Sequence, residues 1–288
     1  MSRASRYQER AALRRSGPLM WLGHIGTWFY VVLLIAPLYY LLVSSFKSNT
    51  DVLARPFSPF VKFSLANYTA AWERADLGQA LISSAYITIG SEILSLALAI
   101  PAAFALARAK GKIGMWVERI FSLGFLLPGF ACLVPAVMLS IQLHLFHTRE
   151  YMILSMPASA MPLSVILLTQ AMRAIPHDLE ESAMLDGASS WKVLTNVFLP
   201  LTVPTVTVVG ILNFLSFWNE YFFSLVIIGP DKALRTAQVA VPALSSQNSS
   251  QFGVLAAGVI ITLIPVYLIY VVFADKMEGA MLAGALKG

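Results

Sequence analysis

The residues with the most chemical potential in this 288-residue chain are concentrated in one polar-headed stretch. It is E-S-A-M-L-D-G-A-S-S-W-K-V-L-T-N-V-F-L-P, from Glu181 to Pro200, set between two apolar runs. Glu181, Ala183, Asp186, Gly187, Ser190, Leu199 and Pro200 mark its heads, bend and exit. These types at this spacing place no nucleophile beside a base and no ligand set around a metal, so the chemistry on offer is docking rather than catalysis. Elsewhere, Glu92 and the neighbouring pair Asn219 and Glu220 fall within apolar runs, where they offer hydrogen bonds at membrane depth. His144 and His147 share the turn L-H-L-F-H-T-R-E at 143–150. Two histidines without a third ligand read as ordinary polar residues rather than a metal pair.

The elements that must position these groups follow from composition. Hydrophobic residues make up 58% of the chain and charged residues 12%, and mean hydropathy is +0.72, against roughly 45–50% apolar and 25% charged in a soluble domain. The expected fold is an all-α membrane protein with one membrane domain. At about 20 residues per crossing, apolar runs predict six spans, near 24–46, 78–107, 116–142, 151–173, 204–228 and 253–274. Pro101, Pro128, Pro135, Pro157, Pro162 and Pro265 fall inside them, so the helices are expected to be kinked. A basic tail over 1–23, carrying Arg3, Arg6, Arg10, Arg14 and Arg15, precedes the first span, and a second tail covers 275–288.

Six spans put both termini on one side. That side carries 13 lysines and arginines and the other 7, which places both termini in the cytoplasm. The net charge of +5 is therefore read as topology; no basic patch interleaved with aromatics points to nucleic acid. Cys132, the one cysteine, excludes an internal disulfide and is expected to pack in its apolar run. The longest outer segment, about 47–77, contains N-Y-T-A-A-W at 67–72; it either docks a partner or caps the bundle.

Within the segment 176–200, Pro176 ends a span, and Asp178 with Glu181 has the D-x-x-E form of a helix cap and capping box. Asp186-Gly187 then predicts a sharp turn, because glycine takes positive φ at little cost. Ser189 or Ser190 is expected to cap a second helix running to Pro200. Two short helices joined at a glycine and rooted in two spans form a rigid lever on the cytoplasmic face.

The spacing has a familiar counterpart. Glu181-Ser182-Ala183, Gly187 after three residues and then, after nine intervening residues, Val197-Phe198-Leu199-Pro200 resemble the E-A-A, G, I-x-L-P signature of permease subunits of bacterial ATP-binding-cassette importers. I-P-H-D-L-E-E-S-A-M-L-D-G-A-S is similar to the carbohydrate-uptake branch, as are A-L-A-R at 105–108, L-P at 127–128, F-W-N-E at 217–220 and G-A-L-K-G at 284–288. Ser182 departs from the usual alanine by a small-for-small change, and the turn at 143–150 does not match the usual form.

The resemblance implies a type I importer permease fold in a bacterial inner membrane. It implies a second permease subunit completing the pathway, two ATPase subunits docked on the lever, and an extracytoplasmic binding protein delivering a sugar. ATP and Mg would be bound by the ATPase, since this chain has no G-x-x-x-x-G-K-[ST]; its Gly111-Lys112 is followed by Ile113. No cofactor is implied for the chain itself. Asn219, Glu220 and Glu92 are candidates for the pathway, with structural hydrogen bonding between helices as the other reading. The alternative cargoes are glycerol phosphate, a polyol or a peptide. An ion-coupled carrier or membrane enzyme would leave the 181–200 spacing without a purpose.

Overall fold

The computed structural model of the chain describes residues 18–59, 64–245 and 251–285, with side chains between 21 and 273 in those ranges. The five N-terminal arginines and residues 286–288 lie outside the described residues. All regular elements among those described are helical. The long ones are α1 (Pro18–Ser45), α4 (Leu77–Arg108), α7 (Arg149–Arg173), α10 (Leu199–Trp218) and α13 (Phe252–Ala285). The connecting helices are α2 (Asn49–Ala54), α3 (Ala66–Arg74), α5 (Lys112–Phe125), α6 (Leu133–Gln142), α8 (His177–Leu185), α9 (Ser190–Val193), α11 (Phe222–Ile227) and α12 (Ala237–Ala240). Among the described residues, five helical stretches are long and apolar enough to cross a membrane, and α5 with α6 make a sixth crossing if taken as one.

Several boundaries differ from those expected. The first helix already runs from Pro18, within the expected tail, and α13 continues to Ala285 through the expected second tail. The run 116–142 is not one helix. Its two halves meet at 98° across a 3-10 turn at Gly129–Cys132. Pro128 supplies no N–H to continue α5, whereas Pro135 sits in the first turn of α6, where a missing donor costs little. Cys132 lies in that turn and is exposed rather than packed.

Helices α4 and α7 form the centre. Ser83, Ser84, Ser91, Ser95, Ala99 and Ala103 make a buried stripe on α4, and small residues at this spacing let helices approach closely in a membrane. A Cβ on Gly90 would come 2.9 Å from the Ile153 side chain of α7. α10 locks onto this pair through Asn213, which donates to Ser95 Oγ at 3.2 Å and accepts from Ser164 Oγ at 3.2 Å. Removing both bonds in Asn213→Ala is expected to cost about 0.6–1.7 kcal/mol, seen as a melting midpoint a few degrees lower in a thermal scan.

Within 47–77, the start of α3 is bound to the end of α1. Asn67 donates to the carbonyls of Ser45 and Lys47, both at 2.8 Å, and Tyr68 pairs with Ser45.

Candidate functional site

The two-helix lever is α8 followed by α9, and its turn is built by backbone hydrogen bonds. Ala188 N donates to Ala183 O at 3.0 Å and Gly187 N to Met184 O at 3.0 Å, with Gly187 at φ 81°. This is a Schellman closure, which requires a residue in the left-handed region just past the helix end. Ala183 and Ala188 pack against a buried cluster containing Phe198, Met172 and Leu168. Asp186 is exposed as the last helical cap, and Glu181 and Ser190 are exposed beside it.

The expected side-chain caps are absent. Pro176, not Asp178, occupies the cap position of α8, and neither it nor Ser189 makes a side-chain cap bond. Proline's fixed φ starts the helix, and Asp178 and Glu180 in its first turn complement the dipole instead. The second helix runs from Ser190 through a widened π-type turn at Leu194–Phe198 directly into α10. Pro200 cannot donate to the Asn196 carbonyl, which gives the ladder its reason to widen there. Leu199 is half-buried and Pro200 exposed at this exit.

The lever presents an apolar tip. Leu185 is 89% exposed and Trp191 66%, with Met184 and Leu179 also exposed. Its other side is tied down by charge: Arg108 Nε, at the end of α4, approaches Glu180 Oε2 to 2.7 Å. Separately, Arg173 at the end of α7 grips Glu118 of α5 with two bonds of 2.9 and 2.7 Å, a fork geometry stronger than a single contact. In the sequence, Glu180 stands in a first helical turn where the dipole favours it, and Arg108 closes the A-L-A-R at 105–108. Nothing local pairs them, since they meet only through the packing of α4 on α7.

The polar residues at membrane depth do not form one site. α10 ends at Trp218, so Asn219 and Glu220 stand at a helix break rather than inside a span. Glu220 Oε1 accepts from Phe223 N at 2.7 Å and so caps α11, while Asn219 Nδ2 donates to Leu215 O at 2.8 Å. Glu92 sits on α4 against Gly210, with both carboxylate oxygens buried and without a hydrogen-bond partner among the described residues. Gly210 lies nine residues before Asn219 on α10, about 13 Å away at the helical rise.

The turn holding the histidines serves a further loop. His147 N donates to Ile227 O at 3.1 Å and its Nδ1 lies 3.0 Å from Ile228 O, whereas His144 Nδ1 faces Gln142 O at 3.1 Å. Arg149 donates to Ala233 O, and Arg235 to Ala75 O at 2.8 Å. Burial lowers the pKa of Arg235, opposed by the charge of Asp76.

Residues 95–281 match the family model described as binding-protein-dependent transport system inner membrane component. The chain is 30% identical over 279 residues to the diacetylchitobiose uptake system permease protein NgcG of Streptomyces coelicolor, covering 96% of this chain and 92% of that one. It is 28% identical to the melibiose/raffinose/stachyose import permease protein MelC of Bacillus subtilis, covering 88% and 91%. Among solved structures, a bacterial ABC transporter involved in import of the acidic polysaccharide alginate superposes with a TM-score of 0.76 at 20% identity, covering 96% of this chain and 98% of that chain.

Proposed function

The chain belongs to the family of binding-protein-dependent transport inner membrane components, and we propose from that premise that it imports a sugar or oligosaccharide and receives work through residues 178–200. It is a membrane-embedded permease subunit of an ATP-driven importer and is not itself the catalyst. In this reading it sits in a bacterial inner membrane with the lever and both termini in the cytoplasm. It pairs with a second permease subunit, two ATPase subunits and an extracytoplasmic binding protein.

One observation carries the coupling assignment. The turn at Gly187 holds two short helices at a fixed angle, with Leu185 and Trp191 exposed on the outside and Ala183 and Ala188 packed on the inside. Exposed large apolar side chains on a rigid support are what a docking cleft takes up. Because the lever continues without interruption into α10 and is joined to α7 by a short linker, displacement of a docked ATPase moves both spans. Closure with ATP and reset after hydrolysis then alternate the access of the pathway.

Support for a sugar comes from relatives named for diacetylchitobiose and for melibiose, raffinose and stachyose. A thermal-shift screen of the companion binding protein tests it. A midpoint raised by mono- or oligosaccharides fits, whereas one raised only by glycerol phosphate, a polyol or a peptide contradicts it.

For the pathway, Glu220→Gln is an informative substitution because the amide oxygen still accepts from Phe223 N and preserves the cap of α11. If Glu220 lines the route, the basal ATPase activity of the assembled transporter is expected to change by about threefold or more, which is about 0.7 kcal/mol. Unchanged activity assigns Glu220 to helix capping alone.

A further inference from the structure

Arg108 stands where four elements converge. It is the last residue of α4, yet its guanidinium donates to Ile175 O at 3.3 Å in the linker after α7, and its Nε lies 2.7 Å from Glu180 Oε2 on α8. The same group lies 4.5 Å over the ring of Phe198, in the turn that leads into α10. Phe198 is fully buried and held edge-on by Phe104 of α4, with ring centroids 4.9 Å apart. Glu180 is 5% exposed, an unusual degree of burial for a carboxylate on a short surface helix.

A bare Arg at a helix C-terminus would satisfy the dipole from solvent. Here it is instead turned inward and matched to a buried anion, a carbonyl and an aromatic face. A buried charge pair gives little net stability but is costly to separate, because either partner alone is left uncompensated. Such a pair holds two elements in register against a load. The lever is joined through the chain to α7 and α10 only; α4 meets it by apolar packing, as of Phe104 on Phe198, and by one charged contact, Arg108 with Glu180.

We propose that Arg108 and Glu180 form a positioning clasp that carries movement of the lever to α4, a span to which the lever has no direct chain connection. The clasp rests on the reading of 178–200 as the ATPase-driven segment. It gives α4, which bears Glu92 and the serine stripe, a mechanical input at its lever end.

The test uses the complete transporter in nanodiscs, with Cys132→Ser and pairs of spin labels on exposed positions, measured before and after trapping with ATP and vanadate. Labels at Ile93 and Val272 report α4 against α13; labels at Lys192, exposed on α9, and Val272 report the lever. In the parent, both distances are expected to shift. In Arg108→Gln and in Glu180→Gln, the lever distance is expected to shift as before while the α4 shift falls to less than half. The double variant should be no worse than either single one, as for groups acting as one unit. An α4 shift that persists in both single variants overturns the clasp.

Should the glutamine variants not assemble, Arg108→Lys and Glu180→Asp keep both charges while removing the guanidinium that spans Glu180 and Ile175 O or shortening the reach, and the same loss is expected. A lever distance that does not respond in the parent refutes the coupling reading instead. In that case a Lys192–Ile93 label pair still decides the clasp: broadening in the single variants supports it, and an unchanged narrow distribution overturns it.

Discussion

Gly187→Val is expected to lower ATP-driven uptake at least about tenfold, the consequence of roughly 1.4 kcal/mol, with the chain still inserted in the membrane. The cause is the backbone. Gly187 is at φ 81°, and a Cβ built there meets nothing within 4 Å, so crowding is not the issue. A left-handed conformation costs an ordinary L-residue about 1–2 kcal/mol, and a β-branched one is least tolerant of it. Valine would open the turn, release the bonds from Ala188 to Ala183 and from Gly187 to Met184, and turn α9 away from α8. Gly187→Asn is the control, since asparagine enters this region with less strain; it should retain most uptake. Uptake and ATP hydrolysis measured together in proteoliposomes check both, with hydrolysis falling less than uptake in the valine variant.

Leu185→Glu is expected to release the ATPase subunit. Leu185 is 89% exposed at the lever tip, and burying a leucine contributes about 1.5–3 kcal/mol, or about 10- to 150-fold in affinity. The glutamate would forfeit that contribution and carry a charge into the cleft. Co-purification of the ATPase with the permease pair, followed by dilution, should show dissociation in the variant under conditions where the parent complex persists. Because Leu185 makes little contact within its own chain, membrane abundance should be unchanged.

The lever's geometry was legible from sequence because it rests on a local rule: Asp186-Gly187 after a helical run specifies a left-handed residue at the helix end. Its expected caps were not what formed, since Pro176 begins α8 by its fixed φ and leaves Asp178 within the first turn. The all-helical membrane fold was legible from long apolar runs, whose backbone groups must pair internally in lipid. The break within 116–142 was not. Apolar composition continues across it, and Pro128 looks in sequence like Pro101 or Pro157, which lie inside unbroken helices. The helix end at Trp218 was hidden for a related reason: Tyr221, Phe222 and Phe223 keep the run apolar while Glu220 turns back to cap α11. The Arg108–Glu180 pair was least accessible, because tertiary packing alone brings the end of α4 to the lever.

The most direct measurement of the central claim places a photoactivatable, thiol-linked cross-linker at position 185. Cys132 is the chain's one cysteine, so Cys132→Ser with Leu185→Cys gives a unique attachment point. In the assembled, uptake-competent transporter, illumination is expected to join this chain to the ATPase subunit in high yield, and trapping with ATP and vanadate to change that yield. Cross-links to lipid or to the second permease alone, in a preparation that still imports, would contradict it.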